Sequence, residues 1–487
     1  MKRSDLRAIA GSPSLESELA ARSAQELASL LAGLAAELPA VDRRVRDLLA
    51  RGQPAAAAKR ARTRLRAALA HEANFGWQGA ATLAAELDEV LDLVEQAVLP
   101  QDGRTAFALL RDFIARDCEA MERADDSNGE VSAPFRRACE LLARAAAHVP
   151  AAEAREAWEE LIAGDAYGCR DALPDLAASC LPADEVEALI ATLRRRMWAG
   201  GDRAFSAAVS LMGVARGKRD PDLYAEAAYR GVPRERHPAV ALDVARQYLA
   251  AGRAADAAQH LPASAESCGG YAHDWHGCHV ALARALGDDA RTHAALWARY
   301  CFTPTLATLN DLLAAEPEPG RAARRQAALD FLRADHRDLP GKLQLLIDAG
   351  EAAEAAATAV AQHAKLNGDL YFALVPLAEA FLAEHPLAAT AVYRALLDSI
   401  LQRARPKVYH HGAAYWHRLE TLAPRMEAWT PLCDHASYVA RVRAEHARKH
   451  AFWREVERHD PTAWAQERAE RRKLLAEFTG ADDAALN

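Results

Sequence analysis

The side chains best suited to chemistry lie in four short stretches. "CGGYAHDWHGCH" offers Cys268, His273, His276, Cys278 and His279, all residue types that ligate zinc. Their spacing matches no closed zinc site, and the stretch opens a helical pattern in which Trp275 and Val280 can pack, so it reads as core. "HARKH" sets His446 and His450 one turn apart, but Arg448 and Lys449 beside them oppose metal binding. That surface reads as solvated or anion-facing. "GVARGKR", Gly213 to Arg219, is one residue short of a P-loop, and Arg219 stands where the hydroxyl that holds magnesium should be. It reads as a helix end with a basic turn. No G-x-S-x-G, H-E-x-x-H or G-x-G-x-x-G occurs. No catalytic residue, cofactor or metal ligand is assigned.

The fourth stretch is "ERADDSNGEVSAPF", Glu122 to Phe135. Setting Gly129 at the sixth position of a calcium loop puts Ala124 first and Phe135 twelfth, where carboxylates are needed. It is therefore not an EF-hand. Gly129 suits a positive φ, Ser132 can cap the next helix, and Pro134 is tolerated in a first turn. The acids need a separate account. Asp125 and Asp126 follow a helix C-terminus, where the helix dipole disfavours negative charge, so something must compensate them.

The elements that position these residues are helices. Apolar residues recur at three- and four-residue spacings almost throughout, and alternating runs are nearly absent, so the sequence predicts an all-α fold. "SLESELAARSAQELASLLAGLAAEL" opens the pattern with Ser14 as N-cap, Glu16 and Glu18 in the first turn, and no full capping box. Segments follow at Pro54–His71, Ala80–Val98, Thr105–Glu122, Ala133–His148, Ala151–Ala163, Arg170–Leu181, Asp184–Trp198, Arg203–Ala215 and Asp222–Tyr229. If these run up and down, the loops at Ala124–Val131 and Gly164–Cys169 share one edge. That edge gathers Asp125, Asp126, Asn128 and Glu130 with Asp165 and Tyr167. Pairing with Arg136, Arg137 or Arg170 is the first expectation; a docking edge for a basic partner and a cation site are the alternatives.

A repeat of helix, tight turn and helix recurs around Gly252, Gly287 and Gly350, with a further turn at His385-Pro386. Spacings near 35 residues, or twice that, point to an α-solenoid of stacked hairpins, a tetratricopeptide-like or HEAT-like superhelix. The expected organisation is a flexible tail at 1–15, an N-terminal helical repeat region at 16–262 and a C-terminal tetratricopeptide-like region at 263–487.

Composition narrows the class. At 487 residues the chain exceeds one ordinary core, and 51% hydrophobic residues exclude a mainly disordered protein. No apolar signal region opens the chain and no stretch is apolar enough to span a membrane. Eight scattered cysteines read as free thiols in a cytoplasm. The net charge of −8 is uneven: Ala391 to Gly480 carries 16 basic against 11 acidic residues, a local +5, leaving −13 elsewhere. There "RARPKVYHHGAAYWHR" and "YVARVRAEHARKHAFW" interleave Arg403, Arg405, Lys407, Tyr409, Trp416, Arg441, Arg448, Lys449 and Trp453. On one helix Arg441, Glu445, Arg448 and Phe452 would share a stripe. Phosphate binding with aromatic stacking is one reading, and capping of the last hairpins is the favoured one.

"DDSNGEV", "DAYGCRDALPDLA", "GVPRERHPAVALDVARQYLAAGR", "EHPLAATAVYRALLDSILQRARPKVYHHGAAYWHRL" and "YVARVRAEHARKHAFW" resemble an uncharacterised bacterial family of alanine-rich helical proteins, a domain of unknown function. The C-terminal part is similar to the helical tails of bacterial SWIM zinc-finger proteins, although the SWIM pattern, C-x-C followed by C-x-H, is missing. The resemblance runs from about Leu27 to Trp453. It implies a helical repeat fold and brings no catalytic residues. The expected function is a non-catalytic cytoplasmic scaffold for an unidentified protein partner. A nucleic-acid-associated protein using the basic end is the alternative, and an enzyme at the acidic edge comes third.

Overall fold

The structure, a computed structural model, describes residues 19–70, 77–201, 203–230, 237–334 and 338–458. Every regular element among them is helical. The chain forms two compact units, Met1–Tyr271 and Ala272–Asn487.

The expected start at Ser14 lies outside the described residues, as does the tail at 1–15. The pattern that follows is not continuous. Ser23 takes an extended backbone, its Oγ accepts from the Glu26 amide at 3.2 Å, and the Glu26 carboxylate accepts from the Ser23 amide at 3.0 Å. This is a complete capping box, and it starts the helix Ala24–Glu37. Apolar spacing alone runs through Ser23, because a serine inside a helical pattern and a serine capping a new helix look alike to periodicity.

Seven helices of the first unit carry its edge: α1 (Gly103–Ile114), α2 (Asp117–Met121), α3 (Ser132–Ala145), α4 (Ala151–Ala163), α5 (Ala172–Cys180), α6 (Ala183–Ala199) and α7 (Arg203–Lys218). The segment expected as one helix from Thr105 to Glu122 is thus two. The chain bends at Ala115–Arg116, and Asp117 just beyond the bend is fully buried. Asp102 caps α1 by accepting from the Thr105 amide at 3.0 Å. α3 packs on α1 and α5, and α5 packs on α7. Phe113 meets Phe135 at 5.1 Å between ring centres, and buried Trp158 donates from Nε1 to the Leu173 carbonyl at 2.9 Å.

The α5–α7 crossing explains "GVARGKR". A Cβ on Gly217 would lie 2.1 Å from the Asp175 carbonyl oxygen, and one on Gly213 would lie 2.6 Å from Pro174 Cβ. These glycines let two backbones touch, and the helix ends one residue later with Arg219 at φ 55°. The basic turn is a helix end, as read.

In the second unit, helix Ala272–Ala285 pairs with Asp289–Phe302 around Gly287. The hairpins after it are α8 (Leu339–Asp348) with α9 (Ala352–Ala361), and α10 (Tyr371–Phe381) with α11 (Pro386–Gln402). α12 (Tyr409–Leu422), α13 (His435–His446) and α14 (His450–Arg458) follow. Gly287 and Gly350 take φ of 68° and 87°, which turns the chain within one residue. α8 also packs on α10, α9 on α11, and α12 on both α11 and α14. α11 is the spine of this unit, buried at Ala388 to Arg394, at Leu396 and Leu397, and again at Ile400 and Leu401.

The glycine crossing can be tested by substitution. Gly217→Ala should lower stability by roughly 1–3 kcal/mol through overpacking against backbone. Gly33→Ala, in a helix with nothing within 4 Å of the added carbon, should raise it by about 0.5–1 kcal/mol. Thermal unfolding followed by circular dichroism reads both, and equal responses would refute the close approach.

Candidate functional site

A buried ion pair organises the acidic edge. Asp117 is fully buried and Arg170 is 4% exposed. Arg170 Nε and Nη2 donate to the two Asp117 oxygens at 2.9 and 2.5 Å. Arg170 Nη1 donates to the Leu161 carbonyl at 2.9 Å, and the Cys118 amide donates to Asp117 at 2.7 Å. Removing two charges from water is expensive, and these further bonds are what make the burial tolerable. The pair ties α2 to the last turn of α4 and to the loop ahead of α5.

Around this pair the loop acids are held by backbone amides. Asp126 accepts from the Val131 amide at 2.6 Å and the Ser132 amide at 3.3 Å, so it satisfies two amides at the start of α3, whose cap position is held by Val131. Asp125 accepts from the Ser127 amide at 3.1 Å, and the Ser127 side chain and amide hold its carboxyl below the usual carboxylate range. Asp165 accepts from the Gly168 and Arg170 amides at 2.9 and 3.2 Å. Burial nevertheless pushes its carboxyl upward. Two expectations are corrected here. Ser132 does not cap; its Oγ donates back to the Gly129 carbonyl at 3.2 Å, with Gly129 at φ 73°. Nor do the arginines pair with the loop acids. Arg137 binds Asp88, Asp92 and Glu95, Arg136 reaches Ser132 Oγ, and Arg170 is taken by Asp117. Amides are closer to these carboxylates than those three guanidinium groups, because all three acids sit inside the turns they stabilise.

The two loops are neighbours. The buried Cys169 thiol is pushed up to about 12, by burial first and then by Asp117, Asp165 and Asp126 together. Asn128, Glu130 and Tyr167 are exposed on them. Among the described residues no group of three or more His, Cys, Asp or Glu could hold a metal ion, either here or around His276. His276 and Cys278 are buried, and the His276 ring packs on Phe302 at 4.7 Å. Burial pushes the His276 and His279 rings below the ordinary histidine range.

The basic end is drawn inward. Arg403 and Arg405 both pair with Asp369, the latter at 3.5 Å. Arg441 pairs with Asp398 at 2.9 Å and Glu445 at 3.1 Å. Tyr409 and Trp416 are buried against Phe452. Half-buried Trp453 donates from Nε1 to the His446 carbonyl at 3.0 Å. The expected stripe through Arg441, Glu445, Arg448 and Phe452 does not form, because α13 ends at His446 and Arg448 and Lys449 occupy the turn before α14. That turn lets Phe452 reach the core and lets Trp453 satisfy an end-of-helix carbonyl. Of the residues assigned to phosphate contact, Arg403, Lys407 and Arg448 stay exposed, Arg403 while paired with Asp369.

One concavity gave no sequence signal. A groove of about 610 Å³ lies between α9, the head of α11 and the stretch after α12. Ala353, Ala356 and Ala357 of α9 and Ala388 of α11 line it, with His385 and Arg425 at its rim. Arg425 donates to the Leu382 and Ala383 carbonyls at 2.7 Å each, which fixes that rim past the end of α10. Alanines are too common in this sequence for six at a groove to stand out.

Breaking the buried pair should dominate the stability of the edge. Asp117→Ala strands a buried guanidinium and should cost roughly 3–5 kcal/mol, whereas Asp117→Leu combined with Arg170→Met should recover much of that loss. Asp126→Ala removes the acceptor of two amides at the start of α3 and should cost about 1 kcal/mol. Urea unfolding orders the three; a double variant no better than the single would refute the uncompensated-charge account.

A search of curated proteins finds no match to the chain. A family described as one of unknown function, DUF6880, matches residues 10–204 and again 191–455. The two matches run together from residue 10 to residue 455 of 487, and on that span the chain belongs to DUF6880, a family of unknown function.

Proposed function

We propose that the chain is a non-catalytic cytoplasmic scaffold, an α-solenoid whose hairpins stack in the tetratricopeptide or HEAT manner, and that it docks a partner protein in the alanine-lined groove. The groove carries this reading. Its six alanines, set among larger residues that include Leu387, Met426 and Glu427, admit a partner helix to close range, as small residues do wherever helices approach closely. The head of α11 adds a polar end. His385 makes no side-chain cap there, Pro386 has no amide hydrogen, and the amides of the first turn have no intrahelical acceptor. A carboxylate is the natural complement of such an end. The occupant is therefore an amphipathic helical segment of a partner protein, with small apolar residues on one face and an acid at the end that meets His385. The motif likeness to the helical tails of bacterial SWIM zinc-finger proteins fits a bacterial platform of this kind. The alternative, nucleic-acid association, keeps the local +5 and exposed Lys407 and Arg448 as support. It loses Tyr409 and Trp416 to the core and three of its arginines to carboxylates.

Ala353 and Ala357 are exposed on the groove side, so Ala357→Trp should fill the groove and leave the fold intact. Capture from native cytoplasm, with and without nuclease, compares the two proteins. A protein retained by the wild type after nuclease, crosslinked to α9 and lost with Ala357→Trp, is the expected result. Equal capture by both, or material lost to nuclease, would overturn the reading.

A further inference from the structure

A polar cleft in the first unit belongs neither to the buried ion pair nor to the docking groove. It encloses about 100 Å³ between the end of α4, the last turns of α6 and the first turns of α7. Arg196 of α6 lines it together with Arg203, Ser206 and Ser210 of α7, over a floor that includes buried Leu193 and Ala207. No carboxylate of the described residues lines it.

The donors of this cleft are free or loosely held. Arg203 opens α7 and makes no ion pair among the described residues. The Ser206 hydroxyl makes no hydrogen bond among them either, so its proton is available, while Ser210 donates to the Ser206 carbonyl at 2.9 Å. Arg196 Nη1 reaches the Glu159 carbonyl at 3.5 Å, and its Nη2 lies 4.0 Å from the Glu159 carboxylate. Arg155 holds that carboxylate more closely. The cations beside Arg196 in sequence are used elsewhere, Arg194 on Glu226 at 2.6 Å and Arg195 on the Thr192 hydroxyl at 3.3 Å. Two guanidinium groups at a concave site with an apolar floor and no lining acid attract an anion, because the low-dielectric wall weakens screening. Arg203 and Ser206 also stand at the positive end of the α7 dipole.

We infer that this cleft binds a phosphate group, as the free ion or on a small phosphomonoester. The planar forks of Arg196 and Arg203 match phosphate oxygens, and the Ser206 hydroxyl supplies a further donor. A tetrahedral anion presents oxygens in diverging directions, so it meets donors arriving from two helices. A planar carboxylate meets fewer of them. The site is independent of the docking reading, which rests on the second unit.

The test follows thermal unfolding of the full chain in inorganic phosphate, glycerol phosphate or acetate, all at one ionic strength. Phosphate also stabilises folded proteins by exclusion from their surface, so the readout is the rise in melting temperature of the wild type in excess of Arg203→Gln. Arg203 has no ion pair to lose, so that variant should fold as the wild type does. The wild type should show a saturable excess rise in at least one phosphate and none in acetate. Arg203→Gln and Arg196→Gln should each weaken the apparent affinity at least about tenfold, as loss of a charged hydrogen bond does. Arg195→Gln removes the same charge outside the cleft and should keep the wild-type affinity. Tighter binding of glycerol phosphate assigns the site to a phosphomonoester, and tighter binding of inorganic phosphate assigns it to the free ion. No excess rise in either phosphate overturns the inference. So does an equal rise in acetate, or an Arg195→Gln variant as weak as Arg203→Gln.

Discussion

A chain divided into short helices ends many times, and each end leaves amides or carbonyls that must find partners. That constraint governs both units. Aspartates take the amino ends: Asp102, Asp126, Asp220, Asp288, Asp338 and Asp434 each accept from a first-turn amide. Donor side chains take the carboxyl ends. Arg170 reaches Leu161, Arg321 reaches Leu313, Lys342 reaches Arg333, Arg425 reaches Leu382, and Trp453 reaches His446. A sequence that is 26% charged thereby uses many of its charges as structural pins. The acidic loop that looks anomalous in the sequence is one such pin. Asp126 belongs to the start of the helix ahead of it and not to the end of the helix behind it.

This division of labour also sets what the sequence could disclose. Helical segments are local, and three- and four-residue spacing finds them well: Ala151–Ala163 is α4 as read, and Asp184–Trp198 falls one residue inside α6 at each end. The bend at Ala115–Arg116 escapes periodicity because its cause is distant. Asp117 meets a partner 53 positions away. The paired loops were legible from counting helices, yet the partners of their acids were not. Carboxylates placed inside a turn find amides through local geometry that residue type does not report. At the basic end, interleaved rings and cations describe a stacking platform and a cation-lined core equally well, and burial decides between them. Arg394 over Tyr438 belongs to the second kind, whereas Arg443, 4.9 Å from the Trp453 ring, stays exposed.

Small side chains give the molecule its close-packed character. With 6% aromatic residues, few positions bury large apolar surface, and the gain per position is modest. Distance compensates. Alanine and glycine let helices approach until many weak contacts act together. The groove beside α9 is the same chemistry with no helix of the described residues laid into it, an alanine face of the kind that elsewhere lies against another helix.

The contact of Gly217 with the Asp175 carbonyl has a mechanical meaning. Helices separated by side chains can slide, because rotamers change and absorb the movement. At Gly217 no side chain intervenes, so α5 and α7 touch there backbone to backbone. The contact joins the first turn of α5, just after the anchored Arg170, to the last turn of α7, just before Arg219. The edge and the basic turn are thus fastened to each other at one point.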